Sequence, residues 1–322
     1  MKYHKLNQQL FIRNRARFKE QIKPNSIAIF HSNDEHPWNG DSHHTFKQNS
    51  DLFWLTGISQ EDTILVLAPD NPVAEMREAL FIKRTNETMV IWNGHKHTLE
   101  EAREISGITS IFWKDEFEAK VHPCINYSSH IYLNLNENDR AVIHTPYKDL
   151  RIAREMRERY PLHYFERAAP ILHRLRSIKS DLELELMRVA VDISSKMFRR
   201  LLGFVKPGVM EYEVEAEIIH EFIRNRANGH SFHPIVASGK NACILHYVDN
   251  NGPCRDGELL LIDSGADYAN YASDMTRTIP VNGRFTPRQK AVYNAVLRVM
   301  RGAQALLKPG VFLMEYHKQV GE

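Results

Sequence analysis

Two aspartates, Asp263 and Asp274, stand eleven positions apart in the run Leu-Leu-Leu-Ile-Asp-Ser-Gly-Ala-Asp-Tyr-Ala-Asn-Tyr-Ala-Ser-Asp-Met-Thr-Arg-Thr, residues 259–278. Leu259 to Ile262 is a short apolar run of the kind that forms a buried strand. Asp267 to Asn270 tolerate a turn, and a second strand can follow. A hairpin symmetric about Tyr268 and Ala269 places Asp263 directly opposite Asp274. Opposed side chains share a face about 5 Å apart. Two carboxylates held there repel each other unless a cation lies between them. Gly265 leaves room for a bulge, which would change the register. His246 stands close by in the strand-like run Asn-Ala-Cys-Ile-Leu-His-Tyr. Hard carboxylate donors suit Mn²⁺, Mg²⁺ or a carboxylate-rich zinc or cobalt site. Two bridged ions activate water and hold a carbonyl oxygen at once. A neighbouring His can donate a hydrogen bond to a tetrahedral intermediate. Read alone, such an Asp pair is more often a turn cap or a surface ion-pair partner than a ligand pair. A lone His in an apolar strand is more often a packing residue.

The elements that must position these residues fall into two groups. Over the first ~170 residues helical and strand-like segments alternate, which predicts a layered α/β domain. Leu6 to Ile22 reads as an amphipathic helix with a basic face. Ser26–Phe30, Thr63–Leu67, Ala79–Ile82 and Ile131–Leu135 read as strands, with helices over Leu99–Ile105 and Asp149–Arg159. The character changes near Arg174. Ser180 and Glu183 have the spacing of a capping box, and Leu182, Leu186, Val189, Ala190, Ile193 and Met197 then follow a helical period. Pro207-Gly208 stops that helix. A second helix carries Val214, Ile218 and Phe222 at intervals of four, and short strands occupy Pro234 to Asp274. Two helices followed by an antiparallel sheet predict an α+β domain. The expected domains are 1–174 and 175–322. Val311 to Glu322 reads as the start of a further helix, so the chain is expected to be part of a longer protein.

Composition narrows the function classes. The 322 residues are 43% hydrophobic and 25% charged, with 42 basic against 40 acidic residues and a net charge of +2. No stripe of one sign points to nucleic acid or a membrane surface as partner. Three cysteines, Cys124, Cys243 and Cys254, do not make a disulfide framework, and a reducing, cytoplasmic setting is expected. The first residues carry no apolar signal-peptide core, and no run is long enough to span a membrane. His43-His44, His95-x-His97 and His230-x-x-His233 are further candidate metal pairs. The first two read better as exposed polar histidines.

The wider pattern resembles a known family. His-Pro-Ile-Val-Ala-Ser-Gly-Lys-Asn-Ala-Cys-Ile-Leu-His-Tyr (233–247), Arg-Asp-Gly-Glu-Leu-Leu-Leu-Ile-Asp-Ser-Gly-Ala-Asp-Tyr (255–268) and Ser-Asp-Met-Thr-Arg-Thr-Ile-Pro-Val-Asn-Gly-Arg-Phe-Thr-Pro-Arg-Gln (273–289) are similar to proline-specific metallopeptidases of the pita-bread fold, above all the aminopeptidase P (Xaa-Pro aminopeptidase) family. Phe46-Lys47-Gln48-Asn49-Ser50-Asp51-Leu52-Phe53-Trp54-Leu55-Thr56-Gly57 resembles that family's amino-terminal domain, with Lys47 in place of the usual Arg.

The resemblance implies an α/β amino-terminal domain followed by an α+β pita-bread catalytic domain that is truncated at its carboxy end. It implies two divalent ions, Mn²⁺ in aminopeptidase P, and a metal-activated hydroxide that removes the first residue from peptides with proline in second position. Asp263 would bind one ion, Asp274 would bridge both, and His246 would steady the scissile carbonyl. Phe232 and His233 would help line the proline pocket, although core packing is an equal reading for Phe232. Thr276 and Arg277 would support the ligands, or Arg277 would simply be ion-paired. The family completes its metal site with a His and two Glu whose motifs are absent from this chain. Glu315 and His317 do not replace them. The 322 residues alone are therefore expected to be inactive. Homodimers or tetramers are expected by analogy. The alternatives are an Xaa-Pro dipeptidase (prolidase) and a metal-free homologue used for binding or assembly.

Overall fold

The computed structural model describes residues 2–138, 140 and 142–322. The chain divides into two compact units, Tyr3–Glu185 and Leu186–Glu322, with Lys2 grouped with the second. The division falls within a long helix. The expected boundary after residue 174 lies one helix earlier.

The first unit contains α1 (Gln9–Lys19), β1 (Ser26–His31), β2 (Pro37–Asn39), β3 (Ser42–His43), α2 (Ser50–Thr56), β4 (Ile64–Leu67), β5 (Glu78–Ile82), α3 (Glu87–Asn93), α4 (Leu99–Ser106), β6 (Ser110–Trp113), α5 (Phe117–Tyr127), β7 (His130–Leu133), α6 (Lys148–Arg159), β8 (Tyr164–Arg167) and α7 (Ala169–Ser177). Six strands form one mixed sheet in the order β6-β5-β4-β1-β7-β8. Alternation along the strands separates two cores. Ala28, Phe30, Leu65, Leu67, Leu80 and Ile82 face α1, α2, α4 and α7, where they meet Phe18, Leu52, Leu55, Ala102 and Leu172. Ile27, Ile29, Ile64, Val66, Ala79 and Phe81 face α5 and α6, where they meet Val121, Ile125, Ala153 and Met156. Helices on both faces explain why these strands are apolar without interruption. The layered α/β expectation is met.

The 46–57 motif builds this unit. Asn49 caps α2 by accepting the amides of Asp51 and Leu52, and Gly57 ends it in the left-handed conformation, φ 71°. Asp51 accepts from Arg176 at 2.5 Å and from Asn134 at 2.8 Å. Trp54 Nε1 donates to Glu183 at 2.7 Å. Trp54 is therefore a packing and anchoring residue.

α8 spans Asp181–Phe204 and crosses the division. As the capping box predicts, the Ser180 amide donates to Glu183, at 2.8 Å. The second unit continues with α9 (Glu211–Arg224), β9 (Gly229–His230), β10 (Ile235–Ser238), β11 (Leu259–Ser264), β12 (Ala266–Tyr268), β13 (Tyr271–Ala272), β14 (Met275–Pro280), α10 (Pro287–Leu306) and α11 (Leu313–Gly321). Val214, Ile218 and Phe222 of α9 are buried, as their spacing predicts. The strands form two three-stranded antiparallel sheets, β10-β11-β14 and β13-β12-β9. No helix among the described residues is long and apolar enough to cross a membrane.

Candidate functional site

The hairpin that carries the two aspartates turns one position later than its composition suggests. Tyr268 pairs with Tyr271 and Asp267 with Ala272. The two turn residues are thus Ala269 and Asn270, both with positive φ, 52° and 62°. This is the backbone of a type I′ turn, which matches strand twist. Asp267 stabilises it by accepting the Asn270 amide at 3.0 Å. The register therefore shifts. Asp263 lies opposite Thr276, and Ser264 opposite Met275. Continuing the same pairing sets Gly265 opposite Asp274. The expected direct Asp263–Asp274 opposition is corrected to a diagonal one. Asp274 stands two places along the partner strand from Thr276, so it keeps the same face.

No bulge interrupts the pairing. Gly265 instead permits a close approach of two chains. A Cβ built on it would lie 1.7 Å from the Ser273 carbonyl oxygen. The Ser231 amide also donates to the Gly265 carbonyl at 2.8 Å. At this glycine the chain leaves the β10-β11-β14 sheet and enters the β13-β12-β9 sheet.

The face that bears Asp263 can be read from burial along β11. Leu260, Ile262 and Ser264 are buried, while Leu259, Leu261 and Asp263 are half-buried. Asp263 pairs with Ile235 across β10, and Leu261 pairs with Ala237. Tyr247 and Ala242 pack over Ile235, Ala237 and Leu261. The 239–247 segment therefore crosses the face on which Asp263 stands.

His246 lies on that segment. It sits in an exposed turn, not in the strand expected from Ile244 and Leu245, and Leu245 is 90% exposed. Apolar type alone could not distinguish a turn from a strand here. The turn is fixed from below by Glu211, the first residue of α9. Glu211 is fully buried and accepts from the Ser238 amide (2.7 Å), Asn241 Nδ2 (2.9 Å), Tyr247 OH (2.7 Å) and the Gly252 amide (2.7 Å). Burial pushes its carboxyl upward, but these four donors hold it below the usual range. Glu211 was missed in the sequence. The only signal was its place at a helix start after Pro207-Gly208.

The Asp263 carboxyl is poorly satisfied. Its Oδ1 is buried with no hydrogen-bond partner. Burial raises its pKa first, the Thr276 hydroxyl lowers it, the adjacent Asp274 carboxylate raises it again, and His246 lowers it. Two carboxyls and an imidazole thus lie within electrostatic reach on one face. Asp274 and His246 are exposed. An orphaned carboxylate oxygen beside a second carboxylate fits a hard divalent cation.

The other candidate residues of this unit stand on neighbouring segments. Phe232 is half-buried and His233 is exposed. The His233 ring lies 5.5 Å from that of His230. Ala266 pairs with His230, which carries Phe232 and His233 toward the Gly265 crossing. Arg277 pairs across from Ile262, on the opposite face from Asp263, and donates to the Thr276 carbonyl at 2.7 Å.

Comparison with known proteins finds relatives of both units. Residues 185–322 match the model for metallopeptidase family M24, and residues 11–132 match that for the aminopeptidase P N-terminal domain. The Xaa-Pro aminopeptidase of Escherichia coli is 32% identical over 317 residues, covering 98% of this chain and 71% of that protein. The mouse Xaa-Pro dipeptidase is 30% identical over 321 residues, 96% of this chain and 63% of that protein. A solved structure of a putative aminopeptidase P from Bacillus anthracis superposes with a TM-score of 0.90 at 31% identity, covering 98% of this chain and 75% of that one. The expected order of an α/β amino-terminal domain and a pita-bread metallopeptidase domain holds, and the chain belongs to the aminopeptidase P group of the M24 metallopeptidases.

Proposed function

We propose that this protein acts as a metal-dependent aminopeptidase on peptides with proline in second position, and that Asp263, Asp274 and His246 are its share of the reaction centre. The observation that carries the reading is the Asp263 carboxyl. It is half-buried in a central strand with one oxygen unpartnered and a second carboxyl beside it. Without a cation such a pair only destabilises the sheet. Asp263 and Asp274 would hold divalent ions, with Mn²⁺ as the physiological metal. Bound there, the ions supply Lewis acidity for activating water and polarising the scissile carbonyl. His246 stands exposed on the same face. Its ring donates a hydrogen bond to the carbonyl oxygen as negative charge grows there. Thr276 orients the Asp263 carboxyl from the opposite strand. Phe232 offers an apolar wall for the proline ring, and His233 a polar edge.

A cytoplasmic, homo-oligomeric enzyme is the setting we infer. The test is release of the first residue from an Xaa-Pro-Yaa tripeptide by the full-length protein with Mn²⁺ added. Absence of release with Mn²⁺, Co²⁺ and Zn²⁺ each supplied would refute the proposal. Cleavage of Xaa-Pro dipeptides alone would favour the dipeptidase reading, which the likeness to the mouse enzyme keeps in view.

A further inference from the structure

A second group of metal-ligating side chains stands in the first unit, on the segment after α3 and the first turn of α4. His95, His97 and Glu101 bring their ligand atoms within 4.8 Å of one another. His95 Nε2 lies 3.0 Å and 2.8 Å from the two oxygens of Glu101. The His95 and His97 rings are 6.5 Å apart.

The segment is anchored in a way that presents these atoms together. Lys96, between the two histidines, pairs with Glu61 at 2.7 Å. The His97 amide donates to Gln60 Oε1 at 2.8 Å. These two anchors hold the segment while the imidazoles on either side of Lys96 come near Glu101. Thr98 caps α4, and Glu101 accepts the Thr98 amide at 2.9 Å. That bond orients the carboxylate, whose Oε2 and Oε1 both lie within hydrogen-bond distance of His95 Nε2. The protonation states also suit a ligand set. Burial lowers the His97 pKa, which keeps the ring neutral. For Glu101 burial acts upward, but the Thr98 amide and His95 hold the carboxyl below its ordinary value, so it is ionised.

We propose that His95, His97 and Glu101 form a binding site for a single zinc ion, separate from the aspartate pair. Two imidazoles and one carboxylate are a zinc donor set that leaves the fourth position to water. His95 Nε2 would bind the ion with the ring proton on Nδ1. Tetrahedral zinc sets its ligand atoms roughly 3.3 Å apart, so the His95–Glu101 pair parts slightly to admit the ion and His97 closes in. His95 is exposed and free to turn. The ion would then clip the segment before α4 to the first turn of that helix. Imidazole donors favour zinc over the hard ions that suit Asp263 and Asp274, so the two sites are separable by choice of metal.

The experiment is a Zn²⁺ titration of the whole chain against a chromophoric chelator, with Cys243→Ser as background because that thiol is exposed. One zinc equivalent should be lost, or weakened at least tenfold, in His95→Gln/His97→Gln. Asp274→Ala should keep it. Circular dichroism without metal should be the same in every variant, since the changed side chains are solvent-facing or outside the cores. Unchanged zinc stoichiometry and affinity in His95→Gln/His97→Gln would overturn the proposal. So would loss of that equivalent in Asp274→Ala alone.

Discussion

Asp149 offers a direct test of how burial sets the stability of the first unit. It lies in the first turn of α6, is 8% exposed, and pairs with no cation among the described residues. Its carboxylate accepts a long hydrogen bond from Asn49 Nδ2, 3.3 Å. Burial first, and Asp51 second, push its carboxyl up from 3.8 to about 7, against a lowering by Lys148. In the unfolded chain the group ionises near 3.8. Between pH 3.8 and about 7 the folded state therefore holds the extra proton. Stability falls as pH rises through that window, by about 1.4 kcal/mol per pH unit. The full cost at pH 8 is about 4 kcal/mol, less what the positive end of α6 returns. Asp149→Asn is neutral at every pH and keeps an acceptor for Asn49. It should match the parent at pH 4 and be more stable at pH 8 by about 2–4 kcal/mol. His31 acts in the opposite sense. Burial holds it near 3, so its contribution is complete above 6.5 and is lost as pH falls toward 3. The two slopes offset each other in the parent between about pH 4 and 6.5, and Asp149→Asn should expose the His31 slope. Urea unfolding followed by tryptophan emission reports on this unit through Trp54, buried in its core. A variant no more stable than the parent at pH 8 would refute the reasoning.

Three further outcomes follow from the second unit. Gly265→Ala should leave little folded protein, because its methyl would overlap the Ser273 carbonyl; a soluble variant with parental thermal stability would disprove the close approach. Glu211→Gln should cost about 2–4 kcal/mol and lower kcat without changing Mn²⁺ affinity, as read by denaturation and isothermal titration; an unaltered stability would remove its anchoring role. In the full-length enzyme Asp274→Ala should abolish activity and weaken Mn²⁺ binding at least tenfold, while His246→Ala should lower kcat with metal content near normal. Equal metal loss in both would overturn the roles given to them.

The sequence exposed most of what apolar patterning and caps control. β1, β4, β5 and β7 stand within one or two residues of their apolar runs, and α4, α6 and α8 begin close to their predicted starts. β8 was invisible because Tyr164 and Arg167 are exposed at the sheet edge. α5 was hidden by Pro123, which sits inside it. β9 is only two residues long, Gly229 and His230. At the site, Asp263 and Asp274 were found by residue type, and their shared face survived a register error because the error kept parity. The register itself depended on Ala269 adopting φ 52°, a conformation alanine does not advertise. The turn of His246 depended on Glu211, more than thirty residues away, and no local period reports a contact of that range.

Glu211 has a consequence for the motions of this unit. Ser238 ends β10, Gly252 lies beyond the His246 turn, and both amides close on one carboxylate at the start of α9. The intervening residues have few backbone bonds of their own. Opening either amide weakens the hold on the other, so strand end, turn and helix start fluctuate as one cooperative patch. The mobility of His246 is then set by how well a helix begins, at a point its own segment never includes.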